Sequence, residues 1–186
     1  MKILVYEPNW LGDVIFTSPA FQALKNHFKG SRITCITPKR CKDALVYNPY
    51  IDKVIEFDER AADKSLLKKI KFIKMLKQKK YDIAILFHRS LSRTFFCYLA
   101  GIRKRAGYAY RKRAFLLTEK IPTVNKDNLH KQDYYLNVLE KMGVEVEDKN
   151  CRLWLSQKQR DWAFELIEKH ANNKKYLIAI NPLSNW

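Results

Sequence analysis

Glycine is scarce in this chain, five residues in 186, and the scarcity excludes whole classes of site. A dinucleotide fold of the usual kind needs G-x-G-x-x-G at a strand-to-helix turn, and a P-loop needs G-x-x-x-x-G-K-[ST]; neither pattern occurs. Cysteine is as sparse. Cys35, Cys41, Cys97 and Cys151 form no C-x-x-C pair, and Cys35 and Cys97 lie in apolar stretches, where a thiol packs as a small hydrophobe. Free buried thiols are therefore expected, with no metal site. No apolar run approaches the ~20 residues of a membrane span. The start, Met1-Lys2-Ile3-Leu4-Val5-Tyr6, turns polar at Glu7-Pro8-Asn9, too early for a signal-peptide core and without a small-residue cleavage site. A cytoplasmic protein is the expectation.

Acidic residues are also few. There are 19 Asp and Glu against 36 Lys and Arg, a formal charge of +17. Residues 60–120 hold 18 of the basic residues and three acids, Asp63, Asp82 and Glu119, so that third of the chain carries +15. A field of this size points to a polyanionic partner: nucleic acid, an anionic membrane face, or a phosphorylated or carboxylated substrate. The plainer reading is a solvated lysine surface. Hydrophobic residues, at 47%, are enough for an ordinary core and argue against disorder.

Short β-rich apolar runs alternate with helical patterns. Residues 2–6 make the first run. A helix is expected over 17–28, capped by Thr17 or Ser18, with Pro19 in its first turn. Strands are expected at 32–37, 53–57, 82–87 and 105–108, the run 82–87 being apolar enough for burial on both faces of a parallel sheet. Helices are expected at 39–47, 64–80, 91–100, 130–142 and 156–170, the 91–100 and 130–142 helices ended by Gly101 and Gly143. On the 64–80 helix, Leu66, Leu67, Ile70, Ile73 and Leu76 fall on one face. This alternation gives an α/β fold, a parallel sheet with helices on both faces. Residues 175–182 read as a further buried strand, either closing this sheet or opening a second domain.

In such sheets ligands sit beyond the carboxyl ends of the strands. The first loop there is Glu7-Pro8-Asn9-Trp10-Leu11-Gly12-Asp13. Asp13 follows a glycine that permits an unusual turn or close ligand approach and lies near a helix start, where a carboxylate is favoured. It is either a capping residue or a general base reaching into the cleft.

The run Pro8-Asn9-Trp10-Leu11-Gly12-Asp13-Val14, followed by Thr17-Ser18-Pro19-Ala20-Phe21, resembles the N-terminus of glycosyltransferase family 9, the lipopolysaccharide heptosyltransferases. Its Pro-Asn-Trp form is nearer to the heptosyltransferase II members than to the heptosyltransferase I members. Further likeness lies in Tyr81-Asp82-Ile83-Ala84-Ile85-Leu86 with Arg89 and Ser90, in Arg105-Ala106-Gly107-Tyr108, in the His130-led run through Tyr134-Tyr135 to Gly143, and in Ala179-Ile180-Asn181-Pro182.

The resemblance implies the N-terminal half of a GT-B fold: residues 1–174 as a Rossmann-like acceptor-binding domain, and 175–186 as the opening strand of a C-terminal nucleotide-sugar-binding domain that is otherwise missing. It implies inverting transfer of heptose from ADP-heptose to the lipopolysaccharide inner core, without cofactor or metal. Asp13 matches the family's proposed base. A sugar hydroxyl is a weak nucleophile near neutral pH, and a placed carboxylate accelerates its attack ~10²–10⁴-fold. The acceptor is rich in carboxylates and phosphates, which arginine forks suit. Asn9, Gly12, Arg60, Lys64, Arg89, Arg93, Arg111, Arg113 and His130 are the expected acceptor-side residues, and the lysines of the 64–80 helix are expected to face anionic inner-membrane lipid or solvent. This chain alone is expected to be inactive. The competing reading is a non-enzymatic basic module for nucleic acid or anionic membrane, with Tyr108, Tyr110 and Phe115 among the basic residues. It accounts for neither Gly12-Asp13 nor the run at 175–182, and no nucleic-acid partner is expected.

Overall fold

The computed structural model describes residues 1–57, 65–124, 129–171, 178 and 180. Two compact units emerge, Met1–Trp154 and Leu155–Trp186. In the first, the apolar runs form parallel strands: β1 (Lys2–Tyr6), β2 (Arg32–Thr37), β3 (Lys53–Glu56), β4 (Ile83–Leu86), β5 (Lys104–Tyr108) and β6 (Glu119–Ile121). Their order is β3-β2-β1-β4-β5-β6, the Rossmann-like arrangement expected from the alternation of elements. The strand order reverses between β1 and β4, and a crevice forms at their carboxyl ends.

Alternation along each strand divides the core in two. Ile3, Val5, Ile33, Cys35, Ile83 and Ile85 pack toward α1 (Leu11–Phe16), α2 (Ser18–His27) and α5 (Lys131–Glu140). Leu4, Tyr6, Ile36, Ala84 and Leu86 pack toward α3 (Leu66–Lys79) and α4 (Leu91–Leu99). On this second face Phe57 stacks on Phe72 with ring centroids 3.7 Å apart, and Phe96 meets both edge-on. Burying these rings is a main stabilising term of the layer. Gly101 and Gly143 take positive φ, 75° and 79°, after α4 and α5, as helix-ending glycines do.

Five local expectations are revised. The loop after β1 is short: a separate helix, α1, begins at Leu11, and Thr17 joins it to α2 in helical conformation (φ −86°, ψ −7°). Neither Thr17 nor Ser18 caps α2 through its side chain, because the Thr17 hydroxyl donates to Glu7 Oε2 at 2.6 Å. The 39–47 helix is a 3-10 segment, Lys39–Ala44. The segment after β5 holds a second 3-10 stretch, Arg111–Leu116, and the short strand β6, which has no apolar run to announce it. On α3 the buried residues are Phe72 and Leu76, whereas Leu66, Leu67 and Ile70 are exposed.

In the second unit Ser156 and Gln159 form a reciprocal cap for α6 (Gln157–Ala171): Gln159 N–H donates to Ser156 Oγ at 3.2 Å and Ser156 N–H to Gln159 Oε1 at 2.8 Å. Of the strand expected at 175–182, only Ile178 and Ile180 fall among the described residues.

The Arg-Ala-Gly-Tyr stretch on β5 has a structural logic. Arg105 is buried and donates to the Leu116 carbonyl at 2.5 Å and to those of Ile102 and Arg103. The Tyr108 hydroxyl donates to Tyr134 O at 2.6 Å. Gly107 leaves room for the Arg113 guanidinium; a Cβ there would collide with Arg113 Nη2 and stand 2.8 Å from Leu86 O. Gly107→Ala should therefore destabilise the domain by about 1–3 kcal/mol, read as a lowered urea midpoint. An unchanged midpoint would mean that Arg113 is free to move aside.

Candidate functional site

The crevice between β1 and β4 is built on two buried guanidinium ions. Arg93, at 3% exposure, projects from α4 beneath the first loop. Its Nη1 donates to Glu7 O at 2.8 Å, its Nη2 to Asn9 Oδ1 at 2.6 Å, and its plane lies over the Tyr6 ring. Arg113, at 1% exposure, donates through Nη1 to His88 O at 2.6 Å and through Nη2 to Leu86 O at 3.4 Å. Burial lowers its pKa to about 10, so it remains a cation at neutral pH. A buried charge is tolerated only where acceptors replace water, and here those acceptors are backbone carbonyls at the ends of β1 and β4 together with the Asn9 side-chain oxygen.

Each loop is thereby fixed. Asn9 Oδ1 is taken by Arg93, which turns the amide nitrogen toward His88 Nε2 at 3.0 Å. His88 Nδ1 accepts from Ser90 N–H at 3.0 Å. Arg40 Nε donates to Asn9 O at 2.8 Å, and its guanidinium lies 4.8 Å from the centroid of the exposed Trp10 ring. Chain direction after Trp10 carries Asp13 into the first turn of α1.

Asp13 lines a cavity of about 200 Å³ together with Asn9, Trp10, His88, Arg89, Tyr134 and Tyr135. Its side chain is 14% exposed, and the exposed Lys131 ammonium stands 3.7 Å from Oδ1. Tyr135 lies beside this carboxylate in the cavity; burial, with the Asp13 charge beside it, pushes the Tyr135 hydroxyl far above its ordinary range. Tyr135 is therefore a neutral neighbour of Asp13. Arg89 Nε donates to the Tyr134 hydroxyl at 2.5 Å, and its guanidinium faces the rings of Tyr134, Tyr110 and Tyr108 at 4.9, 5.1 and 5.9 Å. Arg89 also borders a wider hollow of about 610 Å³ with Tyr110, Arg111 and Lys112. A further hollow of about 490 Å³ lies at the amino edge of the sheet. Its carboxylate, Asp52, is committed to Lys25 and the Ile33 N–H, so size does not mark the reactive place.

Of the residues singled out by sequence, Asn9, Asp13 and Arg89 share the Asp13 cavity. Arg111 lies on the adjoining hollow, stacked over Tyr110 at 4.9 Å. His130 caps α5, its Nδ1 accepting from Gln132 N–H at 3.3 Å, and packs edge-on against Phe16 of α1. Gly12 is exposed within α1, has no positive φ and has open space where a Cβ would stand, so close approach, not an unusual turn, is what it leaves possible. Arg93 and Arg113 were expected to meet the acceptor; both are buried, Arg93 on Glu7 O and Asn9 Oδ1 and Arg113 on His88 O and Leu86 O, and Arg113 also borders the hollow beside Arg111. Arg60 and Lys64 lie outside the described residues. Trp10, His88, Tyr134 and Tyr135 were not singled out as site residues, although Trp10 stands in the first loop and the tyrosine pair in the His130-led run.

The family model described as glycosyltransferase family 9 (heptosyltransferase) matches residues 69–186. A lipooligosaccharide heptosyltransferase 2 of Haemophilus ducreyi is 28% identical over 148 residues, which is 80% of this chain and 42% of that relative. The crystal structure of a family 9 glycosyl transferase from Veillonella parvula superposes with a TM-score of 0.79 at 25% identity, covering 91% of this chain and 49% of the other. The E. coli ADP-heptose lps heptosyltransferase II has the same fold, with a TM-score of 0.68 at 21% identity over 90% of this chain and 50% of its own. The chain thus spans about two-fifths of the length of that curated relative and half of those structures.

Beneath the cavity, Glu7 is fully buried. Oε2 accepts from Thr17, and among the described residues Oε1 has no hydrogen-bond partner. Burial raises its pKa to about 8, with Thr17 and Arg93 offsetting only part of the effect. The folded protein therefore holds this proton more tightly than the unfolded chain. Stability should fall as pH rises from about 4.5 to about 8, by at most ~1.4 kcal/mol per pH unit from this one group. Glu7→Gln should flatten that loss and exceed the parent in denaturation midpoint at pH 8 while matching it near pH 4.5. Parallel pH profiles for the two proteins would place the effect elsewhere.

Proposed function

The chain belongs to glycosyltransferase family 9, and on that footing we propose that it supplies the acceptor-binding half of an inverting heptosyltransferase. The reading rests above all on one observation: the Asp13 carboxylate lines a cavity at the β1–β4 crevice that Tyr135 and Arg89 also line. The donor is ADP-heptose and the acceptor the inner core of lipopolysaccharide, held at the anionic cytoplasmic face of the inner membrane. The acceptor domain is the unit Met1–Trp154, a boundary earlier than the expected 174, and the nucleotide-sugar-binding domain that 175–186 were expected to open lies in the remaining length of the relatives.

Chemistry at the site follows from its groups. Asp13 accepts the proton of the attacking hydroxyl as its oxygen bonds to the anomeric carbon. The bond to the diphosphate breaks on the opposite side, and ADP leaves with the electron pair. Neither metal nor cofactor enters the scheme. The neutral Tyr135 hydroxyl lies within reach as a donor to the carboxylate. Arg89 offers its outer guanidinium nitrogens to an acceptor carboxylate or phosphate, and Arg111 extends that reach along the adjoining hollow. Asn9, Gly12 and His130 border the acceptor's path, while Trp10 offers an indole face to a sugar ring. Arg93 and Arg113 act through the backbone they hold.

Transfer should be measured on the whole protein to which this sequence belongs. Asp13→Asn should lower kcat by ~10²–10⁴-fold with donor affinity unchanged, and Arg89→Ala should raise the acceptor KM. The 186-residue chain by itself should give no transfer, since no group for the departing diphosphate is assigned within it. Undiminished turnover in Asp13→Asn, or robust transfer by this chain alone, would overturn the reading.

A further inference from the structure

We propose that the layer made by α3, α4 and the 3-10 segment Arg111–Leu116 is a docking surface for an anionic lipid bilayer, with aliphatic and aromatic side chains entering the headgroup region. The proposal deepens the acceptor reading by assigning the face on which the domain rests. It begins with an anomaly on α3. Phe72 and Leu76 point to the core. At 100° per residue the opposite side carries Leu66, Leu67 and Ile70, then Lys71, Lys74 and Lys77. A helix on a water-facing surface places polar residues there, yet Leu66 and Leu67 are 72% and 70% exposed.

The neighbouring elements repeat the pattern. Phe95 and Leu99 of α4 are exposed, and Phe115 of the 3-10 segment is 87% exposed. These elements share one layer: Phe72 packs on Phe96, and Leu117, just past the segment, joins the same core cluster. Single exposed apolar residues need no explanation; several on adjoining elements of one layer mark an interaction site.

Charge identifies the occupant. Between Leu66 and Leu117 there are 15 Lys and Arg, of which Arg93, Arg105 and Arg113 are buried, and one acid, Asp82, and that acid accepts from the Lys2 backbone N–H at 2.7 Å. A protein partner of ordinary composition would meet this face with mixed charge. A basic surface that carries the aliphatic Leu66, Leu67, Ile70 and Leu99 beside Phe95 and Phe115 matches an interfacial membrane site, where buried apolar area and attraction to anionic lipid add. RNA would engage the basic residues and aromatic faces but leave Leu66 and Leu67 without a partner.

The test is flotation of the 186-residue chain with vesicles of phosphatidylcholine alone and of an equimolar phosphatidylcholine–phosphatidylglycerol mixture. Binding is expected to the mixed vesicles at low salt and to weaken steeply with salt. Leu66→Ser with Leu67→Ser should weaken it about tenfold or more at constant salt. Lys71→Gln and Lys74→Gln should each weaken it about fivefold and reduce the salt dependence. All four positions are exposed, and circular dichroism checks that the fold is kept. Equal binding to both vesicle types would overturn the proposal. So would anionic binding indifferent to the leucine pair, tight RNA binding without vesicle binding, or a dimer that the leucine substitutions dissociate. No donor or turnover enters the assay, so its failure leaves the Asp13 assignment standing, and failure of that assignment leaves this surface standing.

Discussion

The geometry of the crevice depends on a buried cation that has exchanged water for acceptors within the protein. Arg93 is held by Glu7 O, Asn9 Oδ1 and the face of Tyr6, and breaking such an arrangement leaves a charge without solvation, which is far costlier than losing a surface ion pair. The first loop is therefore confined to one path, and Asn9, Trp10 and Asp13 take their places along it. Arg113 does the same for the loop after β4 through Leu86 and His88. The two loops that leave the paired strands β1 and β4 at the point of order reversal are each pinned by an arginine, so the crevice between them is fixed before any ligand arrives.

The sheet also separates two tasks. On the side of α1, α2 and α5 the helices cover the core and bring Asp13, Lys131, Tyr134 and Tyr135 to the crevice. On the side of α3 and α4 the helices cover the core with Phe72, Leu76 and Phe96, and leave a basic outer surface broken by apolar side chains. Leu66, Leu67, Lys71 and Lys74 on the outer face of α3 line neither the Asp13 cavity nor the hollow beside Arg111. Arg89, at the start of the β4–α4 connection, lies at the junction of the two.

Much of this was legible in the sequence. The alternation of apolar runs and helical patterns implied a parallel sheet, and five of its six strands are centred where the runs lie. β6 escaped notice because three residues, Glu-Lys-Ile, carry no period. The α3 register was misjudged because apolar residues cover roughly half of its circumference, and only packing against Phe57 and Phe96 decides which of them turn inward. Within the candidate site, the place of Asp13 followed from its position after the first strand. The burial of Arg93 and Arg113 did not follow from anything local. Arginine is ordinarily a surface residue, and the acceptors that hold these two are mostly backbone carbonyls, which no side-chain pattern marks. Glu7 was hidden for a similar reason: its partner Thr17 reads as a helix cap.

The setting of Arg89 bears on the thermodynamics of recognition. A free arginine side chain carries about 2 kcal/mol of rotamer entropy, which a ligand-binding arginine on an open surface gives up at the moment of contact. Arg89 has already surrendered much of that freedom on folding, clasped by Tyr134 through Nε and flanked by the rings of Tyr108 and Tyr110. An anion meeting its outer nitrogens thus finds a rigid fork. The enthalpy of the contact is retained with little configurational loss, and orientation is selected more sharply than strength.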